Sequence, residues 1–243
     1  ETFGILGPNG AGKTTTLEMI ETLRSITKGE INVDGISVKN SPEDVKQIIG
    51  VQLQSSTYFE RLTLKEIINL FATFYGLKVD AEKLLAEVDL ESKKNAYVEN
   101  LSGGQKQRFS IASTLVNNPK VVFLDEPTTG LDPQARRNIW ELINDIRRKG
   151  QTIVITTHYM EEAELLCDRI AIMNQGKIID LDTPYNLIKN HGSGTVISFN
   201  CVKDINKSDF NKLKNINNIT VSGHHCEIST QNEMDTLKDL LKL

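Results

Sequence analysis

Short apolar runs and amphipathic stretches take turns along most of the chain. Thr2-Phe3-Gly4-Ile5-Leu6 opens it and reads as a strand already under way. Val121-Val122-Phe123-Leu124 and Thr152-Ile153-Val154-Ile155-Thr156-Thr157 are β-branched runs without polar alternation. Strands apolar on both faces belong to parallel sheets covered by helices on each side. Between the runs, Leu64, Ile67, Ile68, Phe71 and Phe74 or Tyr75 recur at helical spacing, and Ala81 to Val88 reads as a second helix. Ile139, Leu142, Ile143 and Ile146 form another apolar face. Arg147, Arg148 and Lys149 follow it and complement the negative end of a helix dipole. His191-Gly192-Ser193-Gly194 reads as a linker. Beyond it the expected order is a strand over 195–199, a helix over 207–214, a hairpin through Ser222-Gly223-His224 and a helix over 233–241. These elements predict an α/β domain over residues 1–190 and a small α+β accessory domain over 195–243, with a helical subdomain at about 58–118 of the first.

Composition narrows the class. At roughly 150 residues per domain, the 243 residues suit one large and one small unit. With 39% hydrophobic and 25% charged residues, disorder is excluded as the main state. Twenty-eight basic against 32 acidic residues leave a net charge of −4, which argues against a nucleic-acid partner. No apolar run approaches the ~20 residues of a membrane-crossing helix, which leaves room for a protein partner in a membrane. Three widely spaced cysteines, Cys167, Cys201 and Cys226, give no disulfide framework and suit a reducing cytosol. His224, His225 and Cys226 are adjacent, and residues that alternate across a strand are poorly placed to share one metal ion. Because the chain opens on Glu1 within a strand, the start of its domain is expected to lie upstream.

Gly7-Pro8-Asn9-Gly10-Ala11-Gly12-Lys13-Thr14 fits G-x-x-x-x-G-K-[ST] between a strand and a helical stretch opening with Thr15. Glycines let backbone N–H groups wrap closely around polyphosphate at a helix N-terminus. Lys13 would reach the β- and γ-phosphates, and the Thr14 hydroxyl would face Mg²⁺. These residues predict a P-loop NTPase: a mostly parallel sheet flanked by helices, taking ATP and Mg²⁺. The run from Val121 ends in Asp125-Glu126-Pro127, acids at the strand end where open α/β sheets bind ligands. Asp125 is the candidate for binding Mg²⁺, and Glu126 the candidate base that polarises water for attack on the γ-phosphate. His158 follows the second buried run and would reach the same edge as a γ-phosphate contact.

Leu101-Ser102-Gly103-Gly104-Gln105 is a second glycine-rich helix start, with Ser102 as its cap. With the phosphate loop, the acid pair and the histidine in this order, the chain resembles the ATPase subunit of ABC transporters over about residues 1–190. Thr156 to Glu164 resembles the exporter subgroup that includes daunorubicin-type drug-resistance ATPases. The resemblance implies a head-to-tail dimer, with itself or with another ABC ATPase subunit. Ser102, Gly103, Gly104 and Gln105 of one copy would cover the γ-phosphate held by Gly7 to Thr14 of the other. Asp132 would lie in the loop that crosses the interface, and His158 would be the switch histidine. The glutamine linking Mg²⁺ to the transmembrane partner would be Gln54, with Gln52 as the fallback; Leu53 departs from the proline common before it. The helical subdomain would dock on integral membrane permease subunits, with Tyr58, Phe59, Glu60 and Arg61 near the groove, at the cytoplasmic face of the membrane. An adenine-stacking aromatic would precede the phosphate loop and is expected upstream of Glu1. The alternatives are a soluble ABC ATPase acting on ribosomes or DNA, and an ATP-sensing module without hydrolysis.

Overall fold

The computed structural model describes residues 1–52, 58–191, 195–202, 207–210, 213, 216–230 and 232–242. Contacts divide the chain into Glu1–Pro184 and Tyr185–Leu243. The first unit runs through β1 (Thr2–Leu6), α1 (Lys13–Ile20), the hairpin β2 (Asn32–Val33) and β3 (Ile36–Ser37), and α2 (Pro42–Ile48). Next come β4 (Ile49–Gln52), α3 (Leu64–Phe74), α4 (Ala81–Ala86) and α5 (Gly103–Thr114). It continues with β5 (Val121–Asp125), α6 (Pro133–Arg148), β6 (Thr152–Thr157), α7 (Met160–Leu166), β7 (Arg169–Asn174) and β8 (Lys177–Asp182).

Six of these strands form one sheet in the order β4-β5-β6-β1-β7-β8. All neighbours are parallel except β7 and β8. The fold is therefore α/β, a mostly parallel sheet flanked by helices. Its centre is the least polar part: Val122, Phe123, Leu124, Ile153 and Ile155 are buried, as their unbroken apolar runs require. Register sets the functional edge. Leu6 lies opposite Thr157, and Asp125 opposite Thr156. The segments that follow β1, β5 and β6 thus leave the sheet side by side, each carrying one of the sequence motifs.

Helices α3, α4 and α5 pack on one another, and Leu64, Ile67, Ile68, Leu85 and Phe109 are fully buried. Leu64, Ile67 and Ile68 of the α3 stripe are core, while Phe74 at its end is exposed. Its start is fixed by a capping box in which Thr63 Oγ1 accepts from the Glu66 N–H and the Glu66 side chain accepts from the Thr63 N–H. Among the described residues no helix is long and apolar enough to cross a membrane.

Helix α8 (Pro184–His191) leads into the second unit, which holds β9 (Thr195–Asn200), β10 (Ile216–Ser222), β11 (His225–Thr230) and α9 (Glu233–Leu240). Its antiparallel sheet has the order β10-β11-β9. The helix expected over 207–214 is not formed at its start: Lys207–Phe210 is a single 3-10 turn. Phe210 and Leu213 are three residues apart and both buried with Cys226 and Ile228. The Leu213 N–H bonds to the Phe210 carbonyl at 3.0 Å, a tight-turn spacing that brings both anchors to the core before β10 begins. His225 Nδ1 pairs with Asn200 Oδ1 at 2.8 Å while Cys226 is buried, so the two side chains part company as strand alternation demands.

Candidate functional site

The phosphate loop is shaped by its glycines. A Cβ at Gly7 would lie 2.3 Å from the Met173 carbonyl oxygen, so only glycine lets β1 leave the sheet here. Gly12 caps α1 at φ 101°, a left-handed conformation that costs side-chain-bearing residues about 1–2 kcal/mol. The loop is pinned through the Ala11 carbonyl, which accepts from the Gly176 N–H at 2.8 Å. Pro8, Asn9 and Gly10 face solvent, as do Thr14 and Thr15 on the first turn of α1. Lys13 is only 5% exposed. Its ammonium donates to the Gly7 carbonyl at 2.8 Å and the Pro8 carbonyl at 3.3 Å.

The acids meet this loop from β5. Asp125 is buried, and its Oδ2 accepts from the Thr14 hydroxyl at 3.2 Å. Its Oδ1 accepts from the Thr156 hydroxyl on the neighbouring strand. Glu126 follows with φ 49°, a turn that aims its carboxylate back over the loop. The Glu126 N–H is held by Thr156, at 3.0 Å from Oγ1 and 3.2 Å from the carbonyl oxygen. Glu126 Oε1 then lies 3.8 Å from Lys13 Nζ and 3.4 Å from His158 Nδ1, while Oε2 accepts from the Thr129 hydroxyl at 3.1 Å. Lys13, Thr14, Asp125, Glu126 and His158 therefore converge on one edge. A cradle of backbone donors with a lysine suits a polyphosphate. The Thr14 hydroxyl and Asp125 carboxylate are hard oxygen donors fitted to Mg²⁺ beside it.

The second glycine-rich start is built differently. Ser102 caps α5: its hydroxyl accepts from the Gln105 N–H at 3.3 Å, and Gln105 Oε1 accepts from the Ser102 N–H at 3.0 Å. Gly104 packs closely on α6, since a Cβ there would sit 3.2 Å from the Ala135 Cβ. Asp132 caps α6, its Oδ1 accepting from the Ala135 N–H at 2.9 Å. Ser102, Gly103, Gly104, Gln105 and Asp132 together wall a cleft of about 520 Å³. Among the described residues, no part of Gly7 to Thr14 lines that cleft. The cleft at Ser102 and the cradle at Lys13 are thus separate within one chain. Gln54 lies outside the described residues; Gln52, at the end of β4, is buried.

Three residues with structural parts to play had no local signal. Thr156 braces both acids, and only the register of β5 against β6 reveals it. Glu162 is fully buried in α7 and accepts from the Thr128 hydroxyl at 2.8 Å and the Trp140 indole N–H at 3.0 Å. It ties the turn after Glu126 to the helix after His158. Glu21, just past α1, is a buried carboxyl. Burial, with Asp125 and Glu18 adding like charge, pushes its pKa up to about 7.

Comparison with known proteins adds relatives to this geometry. A family model described as "ABC transporter" matches residues 1–129. The linearmycin resistance ATP-binding protein LnrL of Bacillus subtilis is 37% identical over 236 residues, 94% of this chain and 75% of that protein. The Nod factor export ATP-binding protein I of Burkholderia orbicola is 43% identical over 78% of this chain and 64% of its own length. The chain thus spans somewhat under two thirds of that relative. A solved ATP-binding subunit of an ABC transporter superposes with a TM-score of 0.70 at 31% identity, covering 79% of this chain and 82% of that one.

Proposed function

The chain belongs to the ABC transporter ATP-binding family, and from that premise we propose that it hydrolyses ATP to drive transport, as export, through separate integral membrane subunits at the cytoplasmic face of the membrane. The working unit is a head-to-tail pair, of two copies or of this chain with another ABC ATPase subunit. The observation that carries this reading is Glu126, poised within 3.8 Å of Lys13 and 3.4 Å of His158 at the mouth of the phosphate loop.

The chain's own residues divide the work. Backbone N–H groups of Gly10 to Thr14 and the Lys13 ammonium hold the β- and γ-phosphates. The Thr14 hydroxyl and the Asp125 carboxylate would hold Mg²⁺, which would supply neutralising charge to the same phosphates. Glu126 accepts a proton from the attacking water, and Thr156 keeps its backbone turned toward the loop. His158 contacts the γ-phosphate and holds Glu126 Oε1 on its other side. Ser102, Gly103, Gly104 and Gln105 of the second copy close over the γ-phosphate, with Asp132 at the seam. Loss of the γ-phosphate removes the shared anion and lets the pair reopen. Relatives named for linearmycin resistance and Nod factor export support an outward direction. The partner groove is read as running along Tyr58, Phe59, Glu60 and Arg61, which line one cleft, and on through Tyr58 into the cavity between β4 and the helical part. The C-terminal unit, 195–243, is read as an accessory domain.

A phosphate-release assay tests the assignment. Glu126→Gln is expected to lower turnover about 100-fold or more while ATP affinity stays within about threefold. Turnover at the wild-type rate would remove Glu126 from the role of base.

A further inference from the structure

Glu21 sits at the C-terminal end of α1 and lines a cavity of about 480 Å³ between β4 and the helical part. Tyr58, Phe71, Phe74 and Tyr75 form the aromatic side of that cavity. The Tyr58 and Phe71 rings are 6.4 Å apart, and Phe71 and Phe74 are 6.2 Å apart. The Glu21 side chain is 4% exposed, and its Oε1 has no hydrogen-bond partner among the described residues. Two basic side chains of the same region pair with other acids. Lys46, in the same lining, is held by Glu43 at 2.7 Å, and Arg24 is held by Glu18 at 2.9 Å. The charges acting on Glu21 itself come from Asp125 and Glu18, both negative.

An acid so buried loses solvation and gains no compensating bond, which is costly unless a cation completes it. A hard metal ion needs several converging oxygen donors, and among the described residues no group of three or more metal-ligating side chains occurs. Aromatic faces and one carboxylate instead fit an organic cation, whose charge both attract. We infer that Glu21 is the specificity-determining acid of the partner groove, receiving a lysine or arginine side chain carried on an apolar segment of the membrane subunit. The inference rests on the reading of that cavity as the docking place and names the chemistry it selects. It also accounts for the choice of a long cationic side chain: the aliphatic stem passes the aromatic wall while the head reaches the floor.

The cavity can be probed without the partner. The intact chain is titrated at about pH 8, where Glu21 is ionised, with 3-phenylpropylammonium and with neutral 3-phenylpropanol, following amide shifts by NMR. The wild-type chain is expected to bind the ammonium about tenfold tighter than the alcohol, with shifts at residues lining the cavity. In Glu21→Gln the ratio should fall to within about twofold; in Glu21→Asp, which keeps the charge, part of it should remain. Equal binding of the two probes to the wild-type chain, no binding of either, or a preference that survives in Glu21→Gln overturns the inference. Phosphate release is measured on the same wild-type sample. Turnover without a cation preference defeats the inference alone, and a cation preference without turnover defeats the motor reading alone.

Discussion

Glu126 is useful only because its neighbours fix its aim. A left-handed φ, two acceptors on Thr156 and a hydroxyl from Thr129 leave the carboxylate one outlet, between Lys13 and His158. Glu21 shows the opposite economy: no side chain among the described residues completes its Oε1. Its carboxyl titrates near 7 when folded, against an ordinary value of 4.5. The unfolded chain therefore releases this proton first. The contribution to stability is full below about pH 4.5 and is lost as pH rises through 7. Glu21→Gln should stabilise the free chain by about 1–2 kcal/mol at pH 7.5 and leave it nearly unchanged at pH 4, read from urea unfolding at both values. A stability gain that is the same at both values would contradict the burial argument. The loop glycines, Lys13 and the acid pair were legible because their chemistry is written in consecutive residues. Thr156, Glu162 and Glu21 were not, since each acquires its part from a neighbour more than twenty residues away or from burial that only the packed fold creates.

At the scale of elements, strand register does the assembling. Asp125 lies opposite Thr156 and Leu6 opposite Thr157, so three separate segments deliver their motifs to one edge. The long apolar runs of β1, β5 and β6 and the stripe on α3 could be read directly from period and branching. Strands β7 and β8 and the short hairpin could not. Exposed Ile178 and Ile179 on β8 blur the polarity signal, and a two-residue strand has no period to detect. The expected helix at 207 gave way to a tight turn because Phe210 and Leu213 both had to reach a small core. Two substitutions test how elements are tied. Ser102→Ala removes the cap of α5 and should cost about 1 kcal/mol of unfolding free energy. Glu162→Ala strands the Thr128 hydroxyl and the Trp140 N–H and should cost about 3 kcal/mol, measured by urea unfolding. If the second change costs no more than the first, Glu162 does not clamp α6 and α7.

For the whole molecule, the separation of two glycine-rich helix starts is the telling feature. A helix start capped by Ser102 and a cradle closed by Lys13 stand in one unit yet do not share a cleft. On the proposed reading each is half of a site, and a second chain turned end for end would complete both halves together, an isologous arrangement. On the same reading a shared anion would hold two chains together, so that binding and release of one phosphate would be felt by partners at a distance. The groove beside Glu21 lies on the same unit, so closure would carry it along.

The most direct measurement of that claim is disulfide trapping between chains. Asn9→Cys, exposed on the phosphate loop, and Ser102→Cys are placed on separate copies and mixed in the Glu126→Gln background. With ATP and magnesium present, the account predicts a covalent dimer from the mixture, little from either variant alone, and loss of the product when ATP is replaced by ADP. Mixed copies that stay monomeric under oxidation with ATP and magnesium, or that cross-link equally well with ADP, would contradict it.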